Sequence, residues 1–410
     1  MPGYWVETLG CPKNQVDSDK LTGTLEADGY RAAAGPSDAD LVVVNTCAFV
    51  EAARAESVDT ILAVAARKRP GARLVVTGCL AQRYGGELAD ALPEVDLVAG
   101  FGVPVTLRGR PVPSFDLLNL PRPPVAAPWA YVKVAEGCDR KCGFCAIPSF
   151  RGPQRSRLPE AVVAEVEALG VPEVVLVAQD LASYGRDLGR RGAIVDLVQE
   201  VSRRVPRTRL LYLYPSEVSE SLIQVMGDAG CPYFDLSLQH ASRPLLRRMR
   251  RWGDGRRFLD LIARIRAVHP DAAVRSSFVV GYPGETEADH DTLLAFLEEA
   301  QLDWAGFFPF SPEEGTYAAT LEETVDAGLT AERLAECGEL QDAICARRRS
   351  DLIGTATRVL VDEPGVARSH REAPEIDGVV HVSPALAVGS FVTVRITGAA
   401  GPDLEAVEVA

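Results

Sequence analysis

Residues 131–148 read YVKVAEGCDRKCGFCAIP, an apolar, β-branched run followed at once by Cys138, Cys142 and Cys145. The run has the composition of a buried strand, so the three thiols fall at its carboxyl end, the rim where parallel β/α barrels carry their chemistry. Thiols at this density point to a metal, yet no fourth cysteine follows. Structural zinc prefers four closed ligands, usually arriving as two pairs, so Cys-x3-Cys-x2-Cys suits it poorly. An iron–sulfur cube accepts the same spacing, because three thiolates hold three irons and leave the fourth open to a ligand that is not protein.

Working outward, five more strand candidates follow the triplet: EVVLVAQ, RLLYLYP, YFDLSLQ, VRSSFVVG and WAGFFPF, with helical stretches such as 159–169, 193–204 and 286–300 between them. Six β/α repeats rather than eight predict a partial parallel (β/α)6 barrel. After a helix over roughly 330–350, the alternating runs TRVLVDE, IDGVVHV, SFVTVRIT and DLEAVEV predict a small antiparallel β-barrel. Upstream, YWVETLG, DLVVVNT, ARLVVTG and VDLVAG alternate with helices over 15–30, 50–69 and 83–92, the pattern of an open parallel α/β domain. Its first three strands end in Cys11, Cys47 and Cys79, and ligands of open parallel sheets bind beyond the carboxyl ends of the strands. Residues 104–128 are proline-rich and aperiodic, as at a boundary. The expected division is an N-terminal domain over 1–112, a linker over 113–123, a barrel over 124–354 and the small β-barrel over 355–410.

The formal charge of the 410-residue chain is 43 minus 57, or −14, which argues against a surface built to neutralise phosphates. No signal-peptide pattern opens the sequence and no run approaches a membrane span, so a cytoplasmic protein is expected. Nine cysteines, an odd number, suit reduced thiols and ligands better than a disulfide framework. Cys231, Cys337 and Cys345 read as ordinary thiols. The arginines of RRMRRWGDGRR (residues 247–257) spread around a helix and read as a solvated face rather than a phosphate site.

The triplet, with Phe144 before its third cysteine, resembles the signature of the radical S-adenosylmethionine superfamily, in which the amino and carboxylate groups of S-adenosylmethionine chelate the open iron and one electron cleaves the sulfonium. That resemblance implies cofactor contacts at Gln179 and Asp180, after the second barrel strand, and at Gly281 and Glu285 in SFVVGYPGET; a tight strand-to-helix turn explains the glycines and Glu285 equally well. The second set of three cysteines narrows the likeness to the methylthiotransferase family, which joins a domain carrying an additional cluster, a radical domain and a TRAM β-barrel. Membership implies two 4Fe-4S clusters, held by Cys11, Cys47 and Cys79 and by Cys138, Cys142 and Cys145. It also implies S-adenosylmethionine as cofactor, with the clusters rather than a catalytic side chain carrying the reaction, and a flavodoxin- or ferredoxin-like electron donor.

LGCPKNQVDSD, NTCAFVEAARAES, GCLAQRY, EGCDRKCGFCAIPSFRGPQRSR, SLQHAS and SPEEGT are similar to the RimO-type branch, whose substrate is an aspartate β-carbon of the twelfth small-subunit ribosomal protein. SLQH in place of the more usual IPLQH, and Leu181 where threonine is common, depart from that branch. Residues 355–410 carry four arginines against eight carboxylates, 4 minus 8 or −4, which suits a basic ribosomal protein better than transfer RNA. The same reaction on a transfer-RNA adenosine, and a non-catalytic iron–sulfur carrier or RNA-binding module, are the rival readings.

Overall fold

A computed structural model describes residues 1–101, 106–107, 110–111 and 118–409, with side chains left out of account at 106, 107, 110 and 111. Part of the expected linker, residues 113–117, lies outside the described residues. The chain forms two compact units: one of Met1–Pro124, Lys133–Arg140 and Cys145–Arg157, the other of Val125–Val132, Lys141–Phe144 and Leu158–Ala410. Among the described residues no helix is long and apolar enough to cross a membrane.

The first unit is built on a parallel sheet of β1 (Gly3–Thr8), β2 (Arg31–Ala32), β3 (Leu41–Thr46), β4 (Arg73–Gly78) and β5 (Leu97–Val98), in the order β2-β1-β3-β4-β5. Strand period fixes its two cores: Leu41 and Val43 face one way with Leu21 and Leu25, Val42 and Val44 the other with Ile61, Val64 and Leu80. The helices supplying those residues are α1 (Pro12–Ala27), α2 (Glu51–Arg67) and α3 (Cys79–Ala91). Helix α3 begins four residues before the expected 83, because Cys79 itself is its first residue. A short hairpin, β6 (Thr106–Leu107) and β7 (Arg110–Pro111), follows.

The barrel strands are β8 (Trp129–Lys133), β11 (Glu173–Val177), β12 (Arg207–Leu210), β13 (Tyr233–Gln239), β14 (Ala273–Val280) and β15 (Trp304–Pro309); between β8 and β11 lie an antiparallel pair, β9 (Ala135–Glu136) with β10 (Arg155–Ser156), and helix α4 (Ile147–Arg151). They form two three-stranded sheets, β12-β11-β8 and β13-β14-β15. The expected third strand, RLLYLYP, stops at Leu210 because Tyr212 takes a left-handed conformation (φ 65°), its N–H donating to the Asp235 carboxylate at 2.9 Å. Leu213 then resumes pairing with the backbone of Asp235 and Ser237, joining the two sheets. Helices α5 (Pro159–Leu169), α6 (Ala193–Ser202), α7 (Glu220–Asp228), α8 (Arg243–Arg248), α9 (Gly255–Val268) and α10 (Glu287–Ala300) alternate with these strands. Helix α10 opens with a capping box in which Thr286 and Asp289 satisfy each other's backbone N–H.

Helix α11 (Ala327–Ser350) leads into a closed barrel of β16 (Ala356–Glu363), β17 (Val366–Arg368), β18 (Val380–His381), β19 (Phe391–Ala400) and β20 (Asp403–Glu408). Its inward positions, among them Val359, Val361, Val394, Ile396, Leu404 and Ala406, alternate along the strands to make one core. Closure uses a parallel pairing of β18 with β20 among otherwise antiparallel neighbours, and β17 is a strand too short to leave a sequence pattern.

Candidate iron–sulfur sites

Cys11 caps α1 just after β1, Cys47 follows β3 directly, and Cys79 opens α3 directly after β4, so all three stand at the carboxyl edge of the first unit's sheet. One side chain ties these strand ends together. The Asn14 amide donates to Leu9 O at 2.9 Å and Thr46 O at 3.0 Å, while its carbonyl accepts from the Cys79 thiol at 3.6 Å. Ser57 clasps Cys47, accepting its N–H at 3.1 Å and donating to its carbonyl at 3.0 Å. Two glycines make the approach possible: a Cβ on Gly10 (φ 95°) would lie 2.9 Å from the Cys47 sulfur, and one on Gly78 (φ 93°) 2.3 Å from Asn45 Oδ1.

The three thiols act on one another. Burial, together with the neighbouring Cys11 and Cys79 charges, pushes Cys47 up to about 12. Burial raises Cys79 as well, against the pull of Arg151. At Cys11 burial is outweighed by the Lys13 charge, the N–H groups of Asn14 and Lys13 and the Arg151 charge, so its pKa falls below the usual thiol value. Among the described residues no group of three His, Cys, Asp or Glu side chains is drawn in tightly enough to hold a single metal ion. A four-iron cube spreads its thiolates over a wider triangle than one ion does, and the donor set at the sheet edge, three thiols without a nitrogen or carboxylate ligand, fits a cube.

Cys138 and Cys145 belong to the first unit and Cys142 to the second. In the first unit the Cys138 N–H donates to Gly152 O at 3.0 Å and its sulfur accepts the Arg140 N–H at 3.4 Å. In the second, Gly143 is pinned between Met249 O at 2.8 Å and the Ala318 N–H at 2.7 Å, and Arg251 donates to the Cys142 sulfur at 3.3 Å. Arg251 also lies over the Tyr214 ring at 4.2 Å and bonds Ser237 O. This corrects the reading of RRMRRWGDGRR as a uniformly solvated face. Arg247, Arg256 and Arg257 are exposed, but Arg251 is buried against a candidate ligand.

The expected cofactor contacts sit at the carboxyl ends of barrel strands. Gln179 and Asp180 follow β11, where Asp180 accepts the Ser183 hydroxyl at 2.6 Å. Gly281 follows β14, and both oxygens of Glu285 are engaged within the protein: Oε2 accepts the N–H groups of Gly281 at 2.6 Å and Tyr282 at 3.2 Å, and Oε1 accepts from Arg333 at 3.1 Å. The turn explanation therefore accounts for what Glu285 does here, fixing the loop's shape. Burial pushes the remaining thiols Cys337 up to about 12 and Cys345 to about 11, and raises Cys231 as well. Sequence reasoning missed Asn14, Arg151 and Arg251. Arg151, the last residue of α4, is buried and donates to Cys79 at 3.0 Å, to Asn14 at 2.7 Å and to two carboxylates.

Three family profiles match in succession: Uncharacterized protein family UPF0004 over residues 3–100, the Radical SAM superfamily over 132–297 and the TRAM domain over 353–409. The fold is shared with a solved radical S-adenosylmethionine methyltransferase, TsrM from Kitasatospora setae, at a TM-score of 0.51 and 16% identity, over 94% of this chain and 83% of that one. Fold and motif thus define a three-part radical S-adenosylmethionine protein with a TRAM barrel. The chain is 43% identical to the Ribosomal protein uS12 methylthiotransferase RimO of Moorella thermoacetica, over 96% of each, and 40% identical to that of Chloroflexus aurantiacus, over 98% of each. It belongs to the RimO family of methylthiotransferases.

Proposed function

We propose that the chain is the cytoplasmic enzyme that adds a methylthio group to the β-carbon of an aspartate in ribosomal protein uS12, using iron–sulfur chemistry and S-adenosylmethionine. The observation that carries the reading is the convergence of Cys11, Cys47 and Cys79 at one sheet edge, close enough for their charges to act on one another, in a chain that also bears the Cys138, Cys142, Cys145 triplet. In the proposed division of labour, residues 1–112 hold the additional 4Fe-4S cluster, 113–123 link, 124–354 hold the second cluster with S-adenosylmethionine, and 355–410 dock the substrate. When bound, these groups supply a one-electron cleavage and a sulfur that is methylated and transferred.

The chain's own residues hold and orient. Asn14, Gly10 and Gly78 set the positions of the first three sulfurs, and Arg251 and the Gly143 anchors set that of Cys142. Gln179, Asp180, Gly281 and Glu285, at the carboxyl ends of β11 and β14, contact S-adenosylmethionine, Glu285 also keeping the Gly281 turn in shape. No general base is assigned, because an unactivated carbon–hydrogen bond is beyond any side-chain base. A flavodoxin- or ferredoxin-like protein delivers the electrons, and the acidic C-terminal barrel meets the basic substrate.

The test is iron and acid-labile sulfide on anaerobically reconstituted protein. Wild type is expected to hold about eight irons, and chains with either cysteine set replaced by alanine about four. Loss of all iron on replacing Cys138, Cys142 and Cys145 alone overturns the two-cluster reading. Incubation of reduced enzyme with uS12, and separately with transfer RNA, then assigns the substrate by mass spectrometry. Methylthiolation of RNA and not of uS12 refutes the proposal.

A further inference from the structure

We infer that Arg151 is a positioning residue for the cluster held by Cys11, Cys47 and Cys79, raising its reduction potential through an N–H···S bond; the inference rests on the two-cluster reading above. Arg151 is buried and uses both ends of its guanidinium. Nη1 bonds Asp17 at 2.9 Å and Glu136 at 3.1 Å; Nη2 bonds Asn14 Oδ1 at 2.7 Å and the Cys79 sulfur at 3.0 Å. The ring of Phe101 lies 4.2 Å from the guanidinium carbon.

A structural ion pair alone does not account for this arrangement. Lys133 is buried against the same two carboxylates, bonding Asp17 and, at 2.6 Å, Glu136. Arg151 and Lys133 together balance the two carboxylates, which explains a cation here but not the edge of the guanidinium turned to sulfur. What Arg151 adds is reach: a rigid planar fork anchored on the acids at one edge presents its other edge to sulfur and to Asn14 at once, which a point-charge ammonium does not do. Asn14 is the amide that ties the strand ends, so the guanidinium supports both the ligand and the residue that places it. The same turn also serves the other cysteine set within this unit, since the neighbouring Gly152 carbonyl receives the Cys138 N–H. A hydrogen bond and a positive charge at a thiolate draw electron density from its cluster and favour the reduced form.

The test uses the full chain with Cys138, Cys142 and Cys145 replaced by alanine, so that only the N-terminal cysteines hold iron. Its midpoint potential, read by electron paramagnetic resonance in a redox titration, is compared with those of R151K and R151M in the same background. About four irons are expected in the parent. At a fixed poise R151M should show an at least tenfold lower ratio of reduced to oxidised cluster, about 59 mV for a one-electron couple, with R151K closer to the parent. Iron retained in R151M with an unchanged ratio overturns the inference and leaves Arg151 a structural cation. Should R151M fail to hold iron, R151K gives the decision: a lowered ratio, from loss of the fork that reaches sulfur, supports the inference and an unchanged one overturns it. A parent chain without iron refutes the two-cluster reading instead, and the inference with it.

Discussion

Glu173, the first residue of β11, is fully buried and meets three arginines: Arg209 at 2.9 Å, Arg368 at 3.2 Å and Arg207 at 3.5 Å. Burial alone would raise its pKa, but the guanidinium charges of Arg368, Arg209 and Arg207 and the Arg209 hydrogen bond hold it at about 2. The arginines divide as their distances suggest. Arg209 and Arg368 are raised and Arg207, the farthest, is lowered, desolvation winning there. A carboxylate held about 2.5 units below its ordinary value contributes about 3 kcal/mol to stability at neutral pH. Glu173→Gln keeps the shape, removes the charge and takes the carboxylate from the buried Arg207 and Arg209, while Arg368 keeps Asp362; removal of one partner of a buried pair costs roughly 3–5 kcal/mol. We expect E173Q to lose about 3 kcal/mol in urea unfolding of the apo chain, followed by tryptophan fluorescence, since the Trp129 ring lies 5.7 Å from the Arg368 guanidinium. The sign with pH is fixed by the lowered folded-state pKa. The wild-type advantage is complete above about 4.5 and shrinks as pH falls toward 2. A loss under about 1 kcal/mol, or a gap between wild type and E173Q unchanged between pH 5 and pH 3, refutes the reasoning.

Asn14→Leu removes both amide bonds to the strand ends and the partner of Arg151; we expect iron to fall from about eight to about four per chain, the Cys138, Cys142, Cys145 set keeping its share. Glu285→Ala frees the N–H groups of Gly281 and Tyr282, and equilibrium dialysis should show S-adenosylmethionine binding weakened roughly tenfold, the equivalent of about 1.4 kcal/mol. His240 is buried neutral, its pKa pushed down to about 4 by burial and by the His290 and Arg333 charges against the pull of Asp289. The unfolded chain takes up that proton near 6.5, so the contribution of His240 to stability is complete above 6.5 and declines as pH falls toward 4, by about 2 kcal/mol at pH 5. The urea midpoints of wild type and His240→Gln should therefore converge between pH 7 and pH 5; parallel midpoints would show that His240 is not held neutral.

What was legible in the sequence was whatever leaves a local trace. Three thiols in eight positions, cysteines directly after Val-rich runs and a two-residue period in the last quarter are each written within a few residues. They yielded the six candidate ligands, the open α/β sheet and both barrels. The residues that escaped work across long separations. Arg151 meets Asn14 across 137 positions and Cys79 across 72, Arg251 meets Cys142 across 109, and Glu173 meets Arg368 across 195. In sequence an arginine reads as a solvated charge, and in RRMRRWGDGRR that holds for its exposed neighbours. Arg251 is the exception because Met249 and the left-handed turn at Arg250 (φ 54°) bring the following residue inward, under Tyr214.

The common physical ground of the missed residues is that each is a buried polar group satisfied by several partners at once. Burying a charge or an amide is favourable only when its hydrogen bonds are all met, so such a residue is placed by the fold and its type alone says little of where it will lie. Arg151 and Arg251 each spend part of that bonding on a cysteine sulfur. A neutral thiol is a poor reason to bury an arginine, since a weak acceptor repays little of the guanidinium's desolvation. With the charge of a cluster-bound thiolate at the same point, the bond becomes charge-assisted and roughly twice as strong. An arginine bonded to a sulfur of each cysteine set is what the two proposed clusters would call for, since each would keep its sulfurs as thiolates.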